Sequence, residues 1–280
     1  MLRRPAVPLL VALVCALALA LTGVLALASP AAHERDAAML HGFVALDRPG
    51  VHGLMKLISH LADPVPYALA GLALTVVAVA RGRAARAGAV AALLVLTGAT
   101  TQILKHLLAQ PRIEAWLVDQ VGDAAWPSGH ATAAMSLALC AVLVVGPGLR
   151  PLTALLGAGY AIAVGYALVA AGWHLPSDVL GGFLVAATFT LLGAAALAAL
   201  EARRPHLAPA ARGPALAPIS VPALVAVSAA FVALAGMVVH VKAPGMTLSA
   251  LEHPAAIAAG LGIGALGLML TAGLAAALRH

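Results

Sequence analysis

Pro127-Ser128-Gly129-His130 is the stretch of this sequence best suited to chemistry. It follows the polar segment Asp119–Trp126 and opens directly into an apolar run, so the serine and glycine stand where a helix should begin. Free N–H groups and the positive end of a helix dipole make such a start an anion site, with Ser128 as its N-cap. The adjoining imidazole can donate a proton. Lys105 and Arg112 are seven residues apart, two helical turns, which puts both cations on roughly one helix face despite the intervening Pro111. His174 and Asp178 flank Pro176, and a carboxylate four residues from an imidazole can hold its tautomer and stabilise its cation. That is how a histidine becomes a usable nucleophile. Each group alone has a plainer reading. The two cations suit headgroup contacts at a membrane surface, the Ser-Gly-His a helix start, and Ser177 or Asp178 a helix cap. Together they suit phosphoryl transfer, which needs charge on the equatorial oxygens and in-line groups on either side. The set requires no cofactor, and its carboxylates are too scattered for a two-metal site.

The elements that must gather these residues are membrane helices. The 280 residues are 63% hydrophobic and 9% charged, against about 25% charged in a soluble domain. Such a chain cannot solvate a globular surface, and the bilayer becomes its expected solvent. Eight uncharged apolar segments appear, at about Val7–Leu27, Val65–Ala80, Ala87–Leu104, Ala131–Leu149, Leu152–Gly172, Val179–Leu200, Ile219–Val239 and Ala255–Leu278. The first resembles a signal peptide but is longer than the usual ~7–15-residue core, which favours an uncleaved span. Cys15 and Cys140 both fall in apolar segments and read as small core residues.

The charges orient the chain. With the N-terminus inside, 10 of the 16 basic residues fall on inner segments and nine of ten acidic residues fall outside, as the positive-inside rule expects. The formal charge of +6 then marks topology, and no nucleic-acid partner is expected. This topology places Lys105, Arg112, His130, His174 and Asp178 all at the outer face. The outer segment Ser29–Pro64 contains an amphipathic stretch, Gly53–Leu61, expected to form an interfacial helix. The expected fold is an all-α polytopic bundle: a core with its outer segment over 1–205, then an inner linker and two further spans over 206–280. The alanine and arginine excess hints at a GC-rich bacterial genome.

The order and spacing of the motifs resemble the type 2 phosphatidic acid phosphatase superfamily. Its pattern is a Lys, six residues, Arg-Pro; then Pro-Ser-Gly-His; then Ser-Arg, five residues, His, three residues, Asp. The chain carries Lys105 and Arg112 at that spacing, the whole of 127–130, and His174 with Asp178. The resemblance covers about residues 35–200. It implies a six-helix core in which His174 takes the phosphoryl group as a phosphohistidine, Asp178 orients His174 and His130 protonates the leaving oxygen. Lys105, Arg112 and the Ser128–Gly129 backbone would hold the phosphate. Two positions depart from the pattern. Ile113 follows Arg112 where the family has Pro, and Ala167-Leu168 replaces Ser-Arg, removing the family's third phosphate-binding cation. His106, Arg35, Arg48 or Lys56 are the candidates to replace that cation in space.

Three functions remain open at this stage. One is a lipid-phosphate phosphatase at the outer face, acting on a polyprenyl diphosphate, a phosphatidate or a relative. The second, favoured by Leu168, is a non-catalytic membrane protein that binds lipid phosphate. A transporter or channel is the third, and the lack of ionisable residues at the centre of the spans argues against it. Membrane lipids are the remaining expected partners, and the oligomeric state is not legible.

Overall fold

The computed structural model describes residues 5–45, 49–110, 124–203 and 252–278, and the regular structure among them is entirely α-helical. The helices are α1 (Ala6–Ala28), α2 (Pro30–Val44), α3 (Pro49–His60), α4 (Pro64–Ala80), α5 (Ala84–Leu107), α6 (Gly129–Val144), α7 (Arg150–Ala170), α8 (Pro176–Arg203) and α9 (Pro254–Ala277). Proline stands in the first turn of α2, α4, α7 and α9, where its missing N–H costs nothing and its fixed φ suits the helix.

Five helices, α1, α5, α7, α8 and α9, are long and apolar enough to cross a membrane. The pair α3–α4, bent by 50° at its junction, raises the count to six if taken as one broken span. Five or six of the expected eight spans are thus found among the described residues. The fourth segment forms only the 16-residue α6, because Gly146-Pro147-Gly148 cannot continue it to Leu149. The segment Ile219–Val239 lies outside the described residues. In the outer segment the amphipathic stretch Gly53–Leu61 falls on α3, and a further helix, α2, precedes it.

Helix α6 is the centre of the bundle. It is apolar on every side, buried along most of its length and packed on α5, α7 and α8. The periphery is inverted relative to a soluble protein: Leu10, Leu13, Leu17 and Leu21 of α1 and Val65, Leu69 and Leu72 of α4 point outwards, as a lipid-facing belt requires. Lipid is as apolar as these side chains, so close packing and polar contacts must hold the helices together. Gly157 of α7 lets α6 approach, since a Cβ there would lie 3.0 Å from Ala138 Cβ. Two hydroxyl pairs join α5 to α6, Thr101–Thr132 and Thr97–Ser136, each at 3.2 Å. Helix α9 packs along α7 and touches α2.

The two ends of α6 differ sharply. At its C-terminus Arg83 donates to the Val144 carbonyl at 2.9 Å and Arg86 to that of Leu143 at 3.2 Å, while Arg86 pairs with Glu201 at 3.5 Å. These guanidiniums satisfy carbonyls left without intrahelical partners and complement the negative dipole end. Arg150 donates to the Leu278 carbonyl at the same end. The N-terminus of α6 holds the candidate chemistry.

Candidate active site

The turn between α7 and α8 is built to present one histidine. Gly172 takes φ +73°, and two hydrogen bonds close α7 there: Trp173 N–H to Leu168 O and Gly172 N–H to Val169 O, both 3.0 Å. This is the Schellman arrangement, in which the left-handed residue is almost always glycine. The chain then passes through Trp173 and His174 into Pro176, which starts α8. Asp178, in the first turn of α8, is fully buried. Its Oδ2 accepts from the Leu175 N–H at 2.9 Å and faces His174 Nδ1 at 3.2 Å. With Nδ1 held, Nε2 is the nitrogen left to react. Burial pushes the His174 imidazole below its ordinary range. The hydrogen bond and charge of Asp178 pull it back up, and the charges of Lys105 and His130 add to the downward push. The net shift favours the neutral ring, the form whose Nε2 lone pair can attack.

A second aspartate secures the same turn from outside it. Asp36 of α2 is buried, and its carboxylate accepts from the Ser177 N–H at 3.2 Å and the Ser177 hydroxyl at 2.5 Å. It acts as an N-terminal cap for α8 supplied by another helix.

The start of α6 docks onto α8. Ser128 N–H donates to the Asp178 carbonyl at 2.9 Å, and the Ser128 side chain caps α6 by accepting from Ala131 N–H at 3.3 Å. Gly181 and Gly182 make the approach possible. A Cβ on Gly182 would come within 2.7 Å of Ser128 O and 2.9 Å of Thr132 N; one on Gly181 would meet the Trp126 indole at 2.8 Å. The docking revises one expectation. The Ser128 N–H is already engaged with Asp178 and Ser128 is wholly buried, which leaves the partly exposed Gly129 N–H as the group of this turn able to meet an anion.

His130, one residue on, faces Asp63 with Nε2 at 2.9 Å from Oδ1. The other oxygen of Asp63 meets His60 Nδ1 at 2.8 Å. The hydrogen bond from His130, helped by that from His60, holds the Asp63 carboxyl below the usual carboxylate range. The Trp173 ring lies against both imidazoles, with centroids 6.3 Å from His130 and 6.1 Å from His60.

Lys105, in the last turn of α5, is half-buried and close enough for its charge to act on His174 and Asp178. The structure thus brings Lys105, Ser128, Gly129, His130, His174 and Asp178 together. Arg112 lies outside the described residues, and so does Arg48. Leu168, where the resemblance calls for arginine, is wholly enclosed in the core. Arg35, Lys56 and His106 are exposed. Sequence reasoning missed Asp36, Asp63 and His60. Asp36 ends the charged run His33-Glu34-Arg35-Asp36 and Asp63 stands directly before Pro64, and neither position is near a motif in sequence. Among the described residues no group of three or more His, Cys, Asp or Glu is placed to hold a metal ion. A cavity of about 490 Å³ lined by Glu34, His41, Glu252 and His253 opens between α2 and α9, and it shares no residue with this cluster.

Residues 86–202 match a family model described as the PAP2 superfamily, which bears out the resemblance carried by the three motifs. The matched region contains Lys105, Ser128, Gly129, His130, His174 and Asp178 but neither Asp36 nor Asp63. No curated protein and no solved structure matches the chain.

Proposed function

We propose that this chain, whose residues 86–202 belong to the PAP2 superfamily of phosphatase-type membrane proteins, hydrolyses the phosphate ester or diphosphate of a membrane lipid of polyprenyl diphosphate or phosphatidate type. The observation that carries the reading is the His174–Asp178 pair, buried, in contact through Nδ1, and beside the α6 N-terminus and Lys105.

His174 Nε2 attacks phosphorus in line with the lipid oxygen. The N–P bond forms as the P–O bond breaks, and His130 gives its Nδ1 proton to the departing alcohol or phosphate oxygen. Asp178 balances the positive charge that develops on the His174 ring. Water then attacks the phosphohistidine, His130 takes back a proton, and inorganic phosphate leaves with His174 restored. Lys105, Arg112 and the Gly129 N–H hold the equatorial oxygens and their growing charge, with Ser128 capping the helix that presents that N–H.

The arginine-lined end of the bundle belongs in the cytoplasm by the positive-inside rule. The site then opens on the extracytoplasmic face of a bacterial plasma membrane, where a headgroup can enter while its tail stays in lipid. The second reading, a lipid-phosphate binder without turnover, is favoured by Leu168 alone. Phosphate release from several lipid phosphates, measured for the purified protein beside His174→Ala, separates the two. Catalysis predicts a fall of at least about 10³-fold in the variant. Equal, negligible release from both proteins would leave the binding reading.

A further inference from the structure

We propose that Asp63 is a positioning residue for His130: it holds the proton-donating imidazole by Nε2 so that Nδ1 faces the leaving oxygen. The proposal rests on the phosphatase reading above.

Asp63 is the N-cap residue of α4, and an aspartate there ordinarily accepts from the first-turn N–H groups of its own helix. Here the side chain makes no such bond. Both of its oxygens are turned away from the helix onto imidazoles, Oδ1 to His130 at 2.9 Å and Oδ2 to His60 at 2.8 Å. Pro64 and Pro66 carry no N–H, so this helix start offers its cap few donors and the carboxylate is free to serve the imidazoles. The carboxylate is also fixed where it stands. Asp63 N–H donates to His60 O at 3.2 Å, the neighbouring Leu61 carbonyl accepts from the Tyr160 hydroxyl of α7 at 3.1 Å, and His60 occupies the second oxygen and stops it rotating.

The consequence for His130 follows from its two nitrogens. A carboxylate at Nε2 keeps a proton on that nitrogen in both charge states of the ring. The proton exchanged during turnover is then always the one on Nδ1. His174 is held the other way round, by Nδ1, leaving Nε2 to attack. Two aspartates therefore sort two neighbouring histidines into nucleophile and acid. Asp178 belongs to the matched family region and Asp63 lies before it.

The test uses the full-length protein in detergent or liposomes and two esters that differ in leaving group. A lipid phosphate leaves as a basic alkoxide and needs the proton; p-nitrophenyl phosphate leaves unaided. Asp63→Asn should lower turnover of the lipid ester about 10- to 100-fold, a part of the roughly 10²–10⁴-fold that general acid catalysis supplies, and that of the nitrophenyl ester less than about threefold. His130→Ala should show the same split, and Asp63→Glu should recover part of the loss. An equal fall on both esters, or none, would overturn the role. If His174→Ala matches wild type on both esters, the phosphatase reading has failed instead, and the ¹⁵N spectrum of histidine-labelled protein decides the geometry alone. Neutral His130 should carry its proton on Nε2 in the native protein and redistribute it in Asp63→Asn. An unchanged tautomer would reject the proposal.

Discussion

His174 and Asp178 are four residues apart in one turn, so their pairing is a local matter, and the sequence showed it. The same residues give a signed pH prediction. Asp178 raises the His174 imidazole against the downward push of burial. Asp178→Asn removes that support, so the acid limb of the kcat/KM profile should move to lower pH while turnover falls about 10⁴-fold, as loss of the orienting carboxylate does in related constellations. A limb that moves upward, or a variant of native rate, would show that the pair plays no catalytic part. Leu168 tests the departure from the family pattern. Its side chain is enclosed by apolar neighbours, and a guanidinium placed there would be buried without a partner. Leu168→Arg should lower stability by about 3 kcal/mol or more and bring no gain in phosphate release. A stable and faster variant would mean that the enclosure yields and the pocket merely lacks its cation. Asp63 and Asp36 act on residues 67 and 141 positions away in sequence, and no local pattern could have revealed those contacts.

Among the elements, the docking of α6 on α8 decides whether the site exists at all. Gly182 is the contact point, and the atoms a Cβ would strike there belong to the backbone, which cannot move aside as a flexible side chain can. Gly182→Ala should destabilise by about 1–3 kcal/mol and lower turnover through the Ser128–Asp178 junction. Gly98→Ala on α5, with open space at its Cβ, is the control and should be neutral or slightly stabilising in thermal melts. Matching behaviour of the two variants would deny the glycine its packing role. Helix identity was largely legible because apolar runs bounded by Pro, Gly and Arg are strong signals. The length of α6 was not, because an apolar run can continue past its helix into a Gly-Pro-Gly turn. In the first outer segment α3 was legible as the amphipathic stretch Gly53–Leu61, whereas α2, whose charged and apolar residues follow no clear period, was not.

At the scale of the molecule, one central helix carries opposite jobs at its ends. Its N-terminus carries the anion site proposed above, and its C-terminus is closed by Arg83 and Arg86. Charge-assisted bonds to otherwise unpaired carbonyls contribute about 1.5–3 kcal/mol each. Arg83→Ala and Arg86→Ala should therefore each lower the melting temperature without the leaving-group dependence expected of Asp63→Asn. Loss of activity at unchanged stability would contradict a structural role for this end. The all-helical membrane class was evident from composition alone, and the gathering of the motifs followed from charge topology, since both depend on sums over many residues. The number of crossing helices was less secure, because hydropathy does not distinguish a lipid-facing span from a short helix enclosed by its neighbours.

The account turns on a covalent step at one nitrogen. The decisive measurement is to mix the protein with a ³²P-labelled lipid phosphate, quench in alkali during turnover and map the label by peptide mass spectrometry. The account predicts an alkali-stable, acid-labile phosphoryl group on Nε2 of His174, absent from His174→Ala and chased by water into inorganic phosphate. Steady phosphate release from His174→Ala, or label on another residue, would contradict it.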